Sequence, residues 1–290
     1  MPNEKMVSSK LEPLAAARID RGAPARTGPG LARHGRQAAA SVWVGAQRFT
    51  AVVLGCLAWE LGVRFGWIDG RLFPPPTEIA KAIVVMAQLG LLWADIRASV
   101  VRVTVGFLIA SLVAIGMAVL LARWKRLAFY LMPVVEMVRP ISVIAWIPIA
   151  ILWFGLGDRP AWFIIFLGSF FPIFTNTYVG VRSVETVHIN VARCLGAGRL
   201  LFLREVLLPS ALPYILTGMR VGLGVGWMCV IAAELIAAQS GLGYMIQLGR
   251  VMLETEKVIA GMIVIGVIGY VMNQTMVWFE RKLTPWREGH

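Results

Sequence analysis

Between residues 97 and 122 the chain reads RASVVRVTVGFLIASLVAIGMAVLLA, a largely apolar run containing small residues such as Gly106, Ser111 and Gly116. A helix needs ~20 mostly apolar residues to cross the hydrocarbon core of a bilayer. Similar runs recur at 49–67, 127–156, 161–181, 212–238 and 258–279. A soluble domain would carry far more charge than the 15% found here. The runs are continuous instead of alternating, which argues against a barrel, and an unpaired strand in lipid would leave its backbone groups unsatisfied. The expected fold class is therefore all-α, a polytopic membrane protein with about six transmembrane helices.

The net charge is 28 − 16 = +12. In a soluble chain that excess would suggest nucleic acid as a partner. Here it marks the cytoplasmic loops, where basic residues hold the topology, and no nucleic-acid partner is expected. Residues 1–45 are rich in Ala, Arg, Gly and Pro, cannot bury a core, and read as a disordered cytoplasmic tail. The expected membrane domain covers 46–290. Cys56, Cys194 and Cys229 are scattered, as are His34, His188 and His290, so neither a disulfide framework nor a metal site is expected.

Within the first run, Glu60 and Arg64 lie four apart and suit one helix face. Pro74, Pro75 and Pro76 follow, and Thr77-Glu78 reads as a helix start for an outward-side amphipathic segment. The third run carries Pro133, Pro140 and Pro148, so a kinked or broken helix is expected. Glu136 and Arg139 stand one turn apart in it and suit a structural salt bridge. The fifth run is dense in small residues (Gly218, Gly222, Gly224, Gly226), which let helices approach closely in lipid. Residues 239–257 read as an outer loop, and Arg281, Lys282 and Arg287 place the C-terminus in the cytoplasm beside the N-terminus.

One segment differs in kind. Residues 188–213 read HINVARCLGAGRLLFLREVLLPSALP, polar and Arg-bearing, with apolar residues at roughly helical spacing. Gly196 and Gly198 interrupt it, giving two short helices with a bend, stopped by Pro209. The pattern leaves two readings open, a cytoplasmic handle gripped by a partner protein and a helix lying on headgroups. The chain carries no phosphate-binding loop and no nucleophile elbow, so uphill transport would draw on a partner's energy.

Residues 190–209 resemble the loop signature of ABC-transporter permeases, E-A-A, three residues, G, nine residues, I-x-L-P. Here it stands as Asn190-Val191-Ala192, Gly196 and Val206-Leu207-Leu208-Pro209, with Asn for Glu and Val for both Ala and Ile. LFPPPTEI at 72–79, RPISVIAWIPIAILWFGLGD at 139–158, FFPIFTNTYVGVRSV at 170–184 and the stretch 208–246 are similar to the nitrate/sulfonate/bicarbonate/taurine permeases, and KLTPW at 282–286 to the taurine and alkanesulfonate members. The resemblance implies a type I ABC importer permease fold and a non-enzymatic half-transporter in the bacterial inner membrane. It implies a homodimer or paired permease, two cytoplasmic ATPase subunits that bind ATP and Mg, a periplasmic solute-binding protein, and membrane lipid around the spans. Segment 185–210 would dock to the ATPase through Asn190, Val191, Ala192, Arg193, Gly196, Ala197, Arg199 and Arg204. No cofactor is expected in this chain.

A charge in hydrocarbon costs ~2.5–3.5 kcal/mol on insertion scales, so intramembrane polar residues mark candidate solute contacts. These are Arg139, Trp146, Asn176, Arg220 and Glu234. An anionic solute would favour Arg, whose fork fits sulfonate or carboxylate oxygens. Glu234 would repel an anion and suits a brace or an Arg partner. The expected solute is a small anion such as taurine or an alkanesulfonate. Nitrate, bicarbonate, an aromatic carboxylate or a thiamine precursor remain open within the family, and a stand-alone secondary transporter or channel outside it.

Overall fold

The computed structural model describes residues 50, 53–184, 191, 192, 194–196 and 198–285, with the backbone alone at 199, 200 and 203. The expected tail 1–45 lies outside the described residues, as do Asn190, Arg193 and Ala197. The chain divides into two units, Met1–Leu57 and Ala58–His290. The described residues of the first, 50 and 53–57, are helical.

The described residues contain helices and no strand. Helix α1 covers 53–64. It is followed by α2 (Pro76–Gln88), α3 (Leu91–Arg123) and α4 (Lys125–Val138), then a 3-10 turn (Val143–Trp146) and α5 (Ile147–Phe154). Helix α6 (Asp158–Arg182) precedes a short turn of helix (Arg199–Phe202) and a π-helical turn (Leu203–Leu207). Helices α7 (Leu208–Ala237), α8 (Leu242–Val251) and α9 (Thr255–Leu283) complete the chain. Four segments are long and apolar enough to cross a membrane: Leu91–Arg123, Asp158–Arg182, Arg204–Ala237 and Thr255–Leu283. Helix α4 with the 3-10 turn and α5 makes a fifth if that bent pair is one span. The sixth expected span, 49–67, is described in part and helical at 53–64.

Helix α6 is the axis of the second unit. Over half of its most apolar window is buried (56%), against 17% for α9, so α6 is enclosed by neighbours and α9 leaves a broad face open. Along one face of α6, Phe166, Phe170, Phe174 and Tyr178 stack at 5.5–5.9 Å, one turn apart. This ladder packs with Phe107, Ala114, Ala118 and Leu121 of α3 and Ala128 of α4. Another face meets α7 at glycines one turn apart. A Cβ on Gly218 would lie 2.8 Å from the Asn176 Cβ, on Gly222 2.7 Å from Ile173 Cγ1, and on Gly226 2.5 Å from Ser169 Oγ. The expected use of small residues for close approach holds here and at Gly106, which abuts Ile165, but not at Gly116, which has no neighbour within 4 Å.

Four expectations need correction or refinement. The third run is broken, as its prolines predict, and more sharply than a kink: the two halves meet at 92°, across the break 139–142 that contains Pro140. Glu136 and Arg139 make no ion pair with each other; α4 ends at Val138 and both side chains are exposed. Pro209 does not stop a helix. It sits in the first turn of α7, where its missing N–H costs little, directly after the π turn. The outer "loop" 239–257 contains the ten-residue helix α8. By contrast the Glu60–Arg64 pair forms at 2.7 Å, and Glu60 also accepts the Thr77 N–H (3.2 Å) and hydroxyl (2.9 Å), capping α2 from outside.

Candidate functional site

The two ends of the bundle carry different chemistry. At the end where α3 stops and α7 begins lies the segment 185–210, described only in part. Residues 191, 192 and 194 are helical, and the chain turns at Gly196 with φ +68. That left-handed backbone favours glycine, which is the physical reason the segment bends there. Nothing lies within 4 Å of where a Gly196 Cβ would be. Ala192 is buried, while Val191 and Leu195 are exposed apolar residues. The Arg204 side chain is 83% exposed and stands 3.8 Å from that of Glu205, itself 61% exposed, a pair worth little to stability. Only the backbone of Arg199 is described. The described part is thus a bent helical corner with outward apolar and basic side chains.

At the opposite end, where α3 and α6 begin and α7 finishes, a buried polar knot ties four helices together. Its centre is Arg102, which its charge inside the 97–122 run could have flagged. The Arg102 Nε donates to Asp158 Oδ1 at 2.6 Å, Nη1 to Glu234 Oε1 at 2.8 Å and to the Ser240 carbonyl at 2.6 Å, and Nη2 to Ser240 Oγ at 2.7 Å. Arg102 and Glu234 are both buried, whereas the Asp158 side chain is 53% exposed at the start of α6.

The same knot seats α8. Three successive backbone N–H groups at its start are taken by side chains from elsewhere: Gly241 donates to Asp95 Oδ1 (2.8 Å), Leu242 to Ser99 Oγ (2.9 Å) and Gly243 to Glu234 Oε2 (2.9 Å). The Ser99 hydroxyl lies 2.8 Å from both Glu234 oxygens. Two carboxylates thus face the positive end of a helix dipole, a favourable placement. Gly241 has φ +109, and a Cβ there would lie 2.5 Å from the Glu234 carboxyl carbon, so side chain and backbone both exclude other residues.

The candidate solute contacts do not come together in one cluster. Glu234 belongs to the knot. Asn176 is half-buried between α6 and α7, and its side-chain amide donates to the Pro172 carbonyl one turn back at 2.8 Å. Trp146 is half-buried against Ile147, Ala150, Ala161 and Ile164. Arg220 stands 3.2 Å from Glu280 of α9, with its side chain 43% exposed. Arg139 is exposed at the break between α4 and the 3-10 turn, with no ion pair among the described residues. Arg220 is partly solvated but its partner Glu280 is only 17% exposed and also accepts from the Thr217 hydroxyl, so Arg220→Gln is expected to cost about 1–2 kcal/mol. Thermal unfolding of the purified chain in detergent measures this; no loss would show that Arg220 is not a structural tie. Among the described residues no three or more His, Cys, Asp or Glu are placed to hold a metal ion.

Comparison with known proteins agrees with this architecture. The family described as binding-protein-dependent transport system inner membrane component matches residues 90–285. The taurine transport system permease protein TauC of Escherichia coli (strain K12) is 37% identical over 242 residues, covering 82% of this chain and 88% of that one. The putative aliphatic sulfonates transport permease protein SsuC of Bacillus subtilis (strain 168) is 33% identical over 265 residues, covering 91% and 93%. The bicarbonate transport system permease protein CmpB of Synechococcus elongatus is 36% identical over 193 residues, covering 66% and 69%. Among solved structures, a chain of the MetNI methionine ABC transporter, in inward-facing conformations, shares the fold with a TM-score of 0.55 at 20% identity, over 68% of this chain and 96% of that one. The continuous apolar spans, the bent helical corner at Gly196 and these matches lead to one conclusion: the chain belongs to the family of binding-protein-dependent transport system inner membrane components, as a multi-pass ABC-transporter permease subunit.

Proposed function

We propose that this permease carries a small sulfonate-bearing solute such as taurine or an alkanesulfonate inward, powered by two cytoplasmic ATPase subunits that bind ATP and Mg. A second permease copy completes the path, and a periplasmic binding protein delivers the solute. Both termini lie in the cytoplasm, with the coupling corner, and the Arg102 knot lies at the outer end. The observation that supports the substrate class most is the pair of sulfonate-type relatives, named for taurine and aliphatic sulfonates, that align over more than four-fifths of this chain. Arg139 is the preferred cationic contact, because it is exposed at a helix break and no described carboxylate neutralises it. Trp146 and Asn176 are the accompanying candidates, and Glu234 serves as the brace of the outer end.

The docking segment comprises Asn190, Val191, Ala192, Arg193, Gly196, Ala197, Arg199 and Arg204. Ala192 and Gly196 allow close approach and Gly196 supplies the bend. Transport then needs no chemistry from this chain: closure of the ATPases moves the corner, and a bundle packed through glycines rocks as rigid parts. Gly196→Trp is expected to leave membrane insertion intact and to abolish solute-stimulated ATP hydrolysis in the assembled complex. Normal stimulated hydrolysis in that variant removes Gly196 from the docking surface. The substrate class is tested by uptake of labelled taurine into vesicles holding the assembled transporter and its binding protein. Competition by alkanesulfonates, stronger than by bicarbonate or nitrate, is expected; preferential competition by either inorganic anion reassigns the solute.

A further inference from the structure

The corner between α3 and α4 carries a cationic groove that the transport cycle does not use. Only Trp124, with φ −109 and ψ 86, separates the two helices, so the chain turns sharply there. The turn encloses a groove of about 620 Å³ lined by Arg123, Trp124, Lys125, Arg126, Leu127 and Tyr130. None of its three cations has an ion pair among the described residues. No acidic residue occurs in the sequence between Asp95 and Glu136, so nothing local balances the charge.

The surroundings are apolar. Trp124, Phe129 and Tyr130 are exposed, and α4 also presents Val134 and Met137 outward. The groove sits at the end of a 33-residue membrane helix, where headgroups begin. Cations at headgroup depth with no ion pair among the described residues, beside aromatic rings and an exposed apolar helix face, complement one class of molecule: an anionic headgroup with acyl chains attached. A free anion would use the cations but leave the apolar face unexplained.

We propose that the α3–α4 corner is a binding site for an anionic phospholipid, with Arg123, Lys125 and Arg126 on the phosphate and Trp124, Tyr130 and the outward face of α4 along the acyl chains. The test titrates the purified full-length chain with phosphatidylglycerol or phosphatidylcholine of the same acyl chains and counts bound lipid by native mass spectrometry. Phosphatidylglycerol is expected to bind about tenfold more tightly or better. The preference is lost in the triple variant Arg123→Gln, Lys125→Gln, Arg126→Gln and kept in Arg97→Gln, Arg250→Gln. Should the triple variant fail to insert, the wild-type chain decides alone, by photo-cross-linking with a diazirine-bearing phosphatidylglycerol whose adducts are expected within 123–137. Equal binding of the two lipids, a preference surviving in the triple variant, or adducts confined to other segments overturns the proposal. So does displacement of the lipid by inorganic phosphate where chloride of equal ionic strength has no effect, since that assigns the cations to a free anion.

Discussion

Arg102→Leu is expected to destabilise the protein by about 3–5 kcal/mol, because it leaves the Glu234 carboxylate buried without its cation. The effect is local in origin. Glu234 holds the Gly243 N–H and the Ser99 hydroxyl, and Ser99 in turn accepts the Leu242 N–H, so one lost guanidinium loosens three of the bonds at the start of α8. Two further bonds, to the Ser240 carbonyl and hydroxyl, vanish with it. The loss should therefore appear first as faster amide hydrogen exchange at 241–251, before the spans themselves exchange. The double variant Arg102→Met, Glu234→Met is expected to recover much of the loss, because replacing both members of a buried pair with apolar side chains costs far less than removing one. A single-variant loss below ~1 kcal/mol would show that the knot contributes little to seating α8.

The second large effect concerns the α6–α7 contact. Gly222→Leu is expected to cost about 3 kcal/mol or more, at the upper end of overpacking penalties. Even a Cβ at 222 would lie 2.7 Å from Ile173 Cγ1 and 3.0 Å from the Ser169 carbonyl, and that carbonyl belongs to backbone that cannot turn aside. Gly224, two residues on, has nothing within 4 Å and faces outward. Gly224→Leu should be neutral or slightly stabilising, since glycine inside a helix is unfavourable by roughly 1 kcal/mol relative to better helix formers. Thermal unfolding of both variants in one detergent measures the contrast. Equal effects at the two positions would mean that these glycines are not there for close approach.

Much of this was legible because the bilayer imposes long, simple patterns. The runs 97–122, 161–181, 212–238 and 258–279 correspond to α3, α6, α7 and α9, with ends shifted by a few residues where amphipathic turns extend the helices beyond the apolar core. The break in the third run followed from its prolines. What the sequence hid depends on partners far along the chain. Helix α8 looked like a loop because Ser240, Gly241 and Gly243 open it, and glycines weaken a helix. Its start is held instead by Asp95, Ser99 and Glu234, residues that no local window contains. Arg102 passed as part of an apolar run, because its partner Glu234 lies 132 residues away. Glu136 and Arg139 illustrate the converse: a local spacing that fits a pair, and no pair. The spacing of the coupling motif could be read directly, and the bend at Gly196 agrees with it, whereas Asn190, Arg193 and Ala197 lie outside the described residues.

The central claim is that this permease moves solute only when a partner's ATP hydrolysis is transmitted through its coupling corner. Taurine uptake into vesicles tests it most directly, with the binding protein outside, ATP and Mg inside, and the permease reconstituted either with or without its ATPase subunits. Uptake against a gradient that requires both the ATPase subunits and ATP is the predicted result. Equal uptake by the permease alone, indifferent to ATP, would contradict it.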